Sequence, residues 1–248
     1  MNYDQRSTAP RDLAYEPHTP WGPWGALLGG VGITLAALAA TVATVAVIQK
    51  FGDQRAIAAQ GWLVMIAFQA VIALGAWWLA GWFGGVRARV LSLAATWPSM
   101  KDMAILLSVF LSFTLPYTWA VYIFRPEVLI ADNAQFASLM RSAEWPVYAF
   151  IIAIGAPISE EFLFRGFMLP ALARSRIGFF GAAVITTLLW MALHFTYSIF
   201  GLIEIVMIGL LLSWAVRKTG SLWAPIAIHA INNGFLAFAM KYQLLPWT

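Results

Sequence analysis

Cysteine is absent from this chain, which excludes disulfides and thiolate ligands. Charge is scarce: 10% of residues are charged against 61% hydrophobic. The small basic excess lies mostly between apolar runs, where it reads as an orientation signal and excludes a nucleic-acid surface. Apolar–polar alternation is missing as well, so the apolar segments do not describe a β-barrel. What is present in abundance is uninterrupted apolar sequence. Several runs reach the length of about 20 residues that a bilayer crossing needs, and mean hydropathy is +0.77. Such segments satisfy their backbone groups in lipid as helices. The expected fold is all-α, a polytopic transmembrane bundle surrounded by membrane lipids.

In order, residues 1–23 form a polar, Pro-rich tail, expected to be loosely ordered up to an interfacial anchor at Trp21 and Trp24. Residues 24–145 supply three spans, Trp24–Ile48, Gly61–Phe83 and Met103–Phe124, then a short interfacial helix in 125–145. The first run is too long for the apolar part of a signal peptide. Pro116 is expected to kink the third span. Residues 146–248 form the functional core. A fourth helix begins at Pro146 and continues amphipathically from Arg165 to Arg176; then come Ile177–Phe195, Gly201–Val216 and Pro225–Met240. About seven spans result. The tail and alternate loops carry twice the Lys and Arg of the opposite loops, which places the N-terminus in the cytoplasm.

One stretch of the core breaks the apolar pattern: Pro157-Ile-Ser-Glu160-Glu161-Phe-Leu-Phe-Arg165. Ionisable residues inside a membrane segment are costly and mark function. At helical spacing Glu161 and Arg165 pair at i,i+4, while Glu160 points about 100° away. One carboxylate is expected to be structural and its neighbour free for chemistry. Pro157 cannot donate to the carbonyl of Ala153, so a local kink is expected beside Glu160.

Two of the three histidines fall in expected spans. Trp190 and His194 share one helical face, as do His229 and Asn233. Glu160 and His194 are equidistant from Ile177, each about 25 Å from a turn there at 1.5 Å per residue, so they can face each other. His229 lies about 13 Å from its own turn. The mismatch is resolved if Arg165–Arg176 projects into the cytoplasm and the site opens that way. Glu160 is then expected within about 8 Å of both rings, close enough for direct or one-water contact.

Two chemistries are open to such a set. A carboxylate and an imidazole can activate water, with imidazole and amide donors stabilising an oxyanion. Alternatively Glu160, His194 and His229 are ligands of the kind that bind Zn²⁺ and leave a position for water. Of the remaining polar residues, Glu204 is expected at a membrane interface without a catalytic role. His18, in the tail, is expected to be uninvolved.

Glu160-Glu161-xxx-Arg165, Trp190-xxx-His194 and His229-xxx-Asn233, in that order on successive late spans, resemble the CPBP intramembrane proteases. That family includes the CAAX prenyl endopeptidases of the Rce1 type and the bacterial Abi proteins. The resemblance covers about residues 146–240, with Trp190 where Phe is common. It implies peptide-bond hydrolysis, with a membrane-associated protein or peptide, prenylated tails among them, as substrate. It further implies that Glu160 and His194 activate water and that His229 and Asn233 hold the oxyanion or help bind a metal. Glu161, Arg165 and Trp190 support them. A multi-pass protein of a bacterial inner membrane is the expected setting. Two other functions compete: a non-catalytic scaffold, such as an immunity or regulatory protein, and a proton-coupled transporter using Glu160, His194 and His229 as a relay. No internal repeat or pair of broken helices supports the transporter, and a scaffold has no reason to retain the costly polar set.

Overall fold

The computed structural model describes Tyr15, residues 17–82 and residues 84–247, which form helices and turns with no strand among them. Residues 1–14 and 16 of the expected tail, and Phe83 at the expected end of the second span, lie outside the described residues. Helix α1 (Pro23–Phe51) opens with Pro23 in its first turn, where a missing N–H costs nothing. Gly52 and Asp53 reverse the chain into α2 (Gln54–Ala80), whose start is capped by the Asp53 carboxylate accepting the Ala56 N–H at 2.8 Å. After a single helical turn at Arg87–Val90 comes α3 (Met100–Phe124), capped by Ser99 and running on through Pro116. The expected short helix is α4 (Pro126–Arg141).

The long helix α5 (Trp145–Ala173) follows. A turn with Gly178 at φ +64° leads to α6 (Gly178–Ala192). Then come α7 (Ile199–Thr219), closed by Gly220 in the left-handed conformation, and α8 (Trp223–Tyr242).

This is an all-α integral membrane protein. Among the described residues, five helices are long and apolar enough to cross a bilayer: α1, α2 from Ala59, α3, α5 and α7. The other two expected spans differ for physical reasons. Helix α6 has only 15 residues, about 22 Å at 1.5 Å per residue. Helix α8 carries His229, Asn232, Asn233 and Lys241 among its 20 residues.

Helix α5 is the hub. Residues 163–172 are buried without a break, which corrects the expectation that the chain from Arg165 onward projects as an amphipathic stretch. Helix α1 approaches closely through Gly29 and Gly30. A Cβ on Gly29 would stand 2.9 Å from the Phe167 ring, and one on Gly30 would stand 2.6 Å from Met168 Sδ. Without Arg165 the tail and alternate loops still carry more Lys and Arg than the opposite loops.

Trp21 is a second correction. Expected as an interfacial anchor, it is buried, its ring 4.6 Å from that of Phe167, whereas Trp24 is exposed. Arg174 donates to the Thr19 carbonyl, and Tyr15 packs edge-on against Phe179 at 5.4 Å. Burial pushes the Tyr15 phenol well above its usual range. The described part of the tail is therefore packed onto the end of α5 and the start of α6.

Candidate active site

The local geometry of α5 is set by its prolines. Two segments, Ile151–Gly155 and Phe162–Met168, are wound as π-helix, and each is followed two residues later by a proline, Pro157 and Pro170. Within a regular α-helix a proline ring collides with the carbonyl four residues back; the wider π turn moves that carbonyl clear. Between the two lies an ordinary α turn, Ala156–Glu161, carrying both carboxylates.

The π winding also changes which carbonyl Pro157 orphans. The Ala156 N–H reaches back five residues to the Ile151 carbonyl, so the carbonyl facing Pro157 is that of Ile152, not Ala153 as expected. Asn233 Nδ2 donates to it at 3.1 Å. An amide from α8 thus supplies the hydrogen bond that the proline cannot.

The two adjacent carboxylates have opposite surroundings. Glu161 and Arg165 are fully buried and paired at 3.0 Å. Arg165 also donates to the Gly209 carbonyl at 3.1 Å, and its guanidinium lies 4.7 Å from the centre of the Trp190 ring, a cation–π contact. Glycine is needed at 209, where a Cβ would meet Thr187 Cγ2 at 2.6 Å. Glu160 faces elsewhere, as the helical spacing predicts, and keeps 18% of its side chain exposed. Its Oε2 accepts the Trp190 indole N–H at 2.6 Å and stands 3.9 Å from His229 Nε2, beyond hydrogen-bond length. The distance to His229 meets the expected limit.

His229 is buried between the two acids, its Nδ1 3.0 Å from Glu161 Oε1. A carboxylate only accepts, so Nδ1 carries the hydrogen and, in the neutral ring, Nε2 presents a lone pair toward Glu160. His194 departs from expectation. It lies not within a span but in the turn after α6, which ends at Ala192. Its Nδ1 is 3.0 Å from the Trp190 carbonyl, which fixes the same tautomer, and its ring centre is 5.2 Å from that of Trp190. Five of the seven site candidates, Glu160, Glu161, Arg165, Trp190 and His229, therefore form one contact network. His194 reaches it through Trp190, and Asn233 through the α5 backbone.

Two residues beside the site carried no sequence signal. Tyr197, in the His194 turn, has its ring 5.9 Å from His194. Burial, followed by the negative charges of Asp132, Glu160 and Glu204, holds its phenol above the usual range, so it remains a donor. Asp132, on α4, accepts both the N–H and the hydroxyl of Ser198. Glu204 lies in the α3–α7 seam and accepts the Thr118 hydroxyl at 2.5 Å.

With this geometry in place, comparison with known proteins gives a consistent result. Residues 142–235 match the family model described as type II CAAX prenyl endopeptidase Rce1-like. That segment, about residues 142–235, is what the chain shares with the CPBP family. It is 41% identical over 81 residues to an Escherichia coli protein named only as an uncharacterized 24.3 kDa protein, covering 32% of this chain and 37% of that protein. It is also 20% identical over 146 residues to the UPF0177 protein YxdF of Lactococcus lactis, covering 56% of this chain and 80% of the relative. No solved structure matches.

Among the described residues no three His, Asp or Glu side chains form a group that could hold an ion. Glu160 Oε2 accepts the Trp190 indole, and the Nδ1 atoms of His229 and His194 are held by Glu161 and by the Trp190 carbonyl, which leaves both Nε2 atoms open. No step below runs through a metal.

Proposed function

We propose that this chain is an intramembrane endopeptidase acting on a membrane-associated protein or peptide, lipidated tails included. The observation that carries this reading is the division of labour between two neighbouring carboxylates. Glu161 is sealed and neutralised by Arg165, whereas Glu160 is reachable, oriented by an indole donor and flanked by Nε2 of His229. A carboxylate so held can take a proton from water as that water attacks a scissile carbonyl. His194, with its Nε2 bare, is the partner that helps orient the water and relays the proton to the leaving amine. The second amide hydrogen of Asn233 and the His229 ring are the donors proposed for the developing oxyanion, His229 entering the cycle with a proton already bound at Nε2 from solvent and keeping it throughout.

The test is cleavage of prenylated and unprenylated peptides by the purified protein in proteoliposomes. Glu160→Gln keeps the side-chain volume and removes the base, and a rate loss of about 10²–10⁴-fold is expected, roughly 3–6 kcal/mol. Wild-type turnover in that variant would sink the assignment. Binding without any cleavage would favour the scaffold reading.

The basic loops support a cytoplasmic N-terminus, with a bacterial inner membrane as the setting. The cysteine-free chain allows a direct check. Cysteines placed singly at Ser175 and Ser142 should label from the cytoplasmic and the opposite face respectively; the reverse pattern would invert the topology.

A further inference from the structure

Helix α4 reads in the sequence as an interfacial segment with no part in chemistry. Its contacts say otherwise. Asp132 Oδ1 accepts the Ser198 N–H at 2.8 Å and Oδ2 accepts the Ser198 hydroxyl at 2.6 Å. Ser198 Oγ in turn caps α7 by accepting the Gly201 N–H at 3.2 Å. The approach is so close that a Cβ on Gly201 would lie 2.5 Å from Asp132 Oδ2 and 2.8 Å from Tyr197 Cδ1. One turn along α4, the Phe136 ring meets Tyr197 at 6.5 Å. Tyr197 donates its N–H to the His194 carbonyl at 3.0 Å and packs its ring edge-on to the imidazole.

Helix α4 thus grips the short turn carrying His194 at two points, and the turn is neither inside α6 nor inside α7. We infer that Asp132 is a positioning residue for His194, an inference that rests on the hydrolytic reading above. Asp132 touches no reacting atom. It fixes where α7 begins and, through Ser198 and Tyr197, where the imidazole stands. A displacement of about 1 Å in a catalytic group can cost up to about 10²-fold in rate, so loss of the latch should act on turnover and not on substrate affinity.

The experiment compares Asp132→Ala, Asp132→Asn and Ser198→Ala in the full-length purified chain, with Glu160→Gln as the inactive reference. Asp132→Ala is expected to lower kcat about tenfold or more with KM within about twofold. Asparagine can still accept the Ser198 N–H and can donate to its hydroxyl, so Asp132→Asn should recover most of kcat. Ser198→Ala, which keeps one of the two bonds, should lose a few-fold and decides the matter if Asp132→Ala does not fold. Wild-type kcat in Asp132→Ala or in Ser198→Ala, or equal losses in the Ala and Asn variants, would overturn the inference. A second readout does not depend on turnover. In ¹⁵N-histidine-labelled protein, Asp132→Ala should move or broaden the His194 ring signals and leave those of His229 in place. Unchanged His194 signals would overturn the inference even with Glu160→Gln inactive. An active Glu160→Gln enzyme would instead overturn the hydrolytic reading.

Discussion

Glu161 Oε1 meets His229 Nδ1 at 3.0 Å, and the same oxygen takes the Arg165 guanidinium at 3.0 Å. A charge pair that looks purely structural in the sequence therefore also holds the imidazole that faces Glu160. The pair is fully buried, and removing one member of such a pair typically costs about 3–5 kcal/mol because the other is left uncompensated.

Arg165→Ala is expected to lower thermal stability by roughly that amount, and Glu161→Gln by less, since glutamine still accepts from Arg165. The losses should be non-additive in the double variant. Thermal unfolding in detergent across the cycle checks this, and additive effects would mean that the two side chains do not interact. Because Glu161 also holds His229, Glu161→Gln should reduce turnover even at temperatures where it is folded.

Trp190→Phe separates ring from donor. The phenyl ring can still lie over Arg165 and fill the wall, but the hydrogen bond to Glu160 is lost. Bonds to charged groups contribute about 1.5–3 kcal/mol to stability, so a lower melting temperature is expected together with a fall in kcat of about tenfold or more, the latter persisting at temperatures where the variant is folded. Steady-state kinetics and a melting curve on one preparation decide it. Unaltered turnover would show that the indole N–H plays no part in orienting Glu160.

Asn233→Ala should cost about 1–3 kcal/mol by leaving the Ile152 carbonyl without its donor. Pro157→Ala supplies a backbone N–H at the position that faces this carbonyl in the π winding. The penalty of Asn233→Ala is therefore expected to shrink when Pro157→Ala is also present. Equal penalties in the two backgrounds, measured by thermal unfolding, would refute the link between Pro157 and Asn233.

Much of this was legible in the chain because it depends on local periodicity. Apolar runs of bilayer length define helices wherever they occur, so α1, α2, α3, α5 and α7 emerge from composition alone. The i,i+4 spacing of Glu161 and Arg165 already sends Glu160 to a different face, and the order of three polar motifs late in the chain carries the resemblance to the CPBP proteases. Helix ends were less legible. His194 sits two residues past the end of α6, because the turn there is stabilised from outside by α4, whose Asp132 is 62 residues away from it in the chain.

The sequence by itself determined that this is a helical membrane protein with one sealed and one available carboxylate, since both follow from hydropathy and from 3.6 residues per turn. Only the tertiary structure decided what those groups touch. Trp21 is core and not belt because α5 offers Phe167 beneath it. Arg165 is buried because Glu161, the Gly209 carbonyl and the Trp190 ring replace its water. The orphaned carbonyl is that of Ile152 because π winding, which no residue pattern here announces, shifts the backbone register by one. Each of these depends on a partner distant in sequence, and helical periodicity orients a side chain without naming the neighbour it meets.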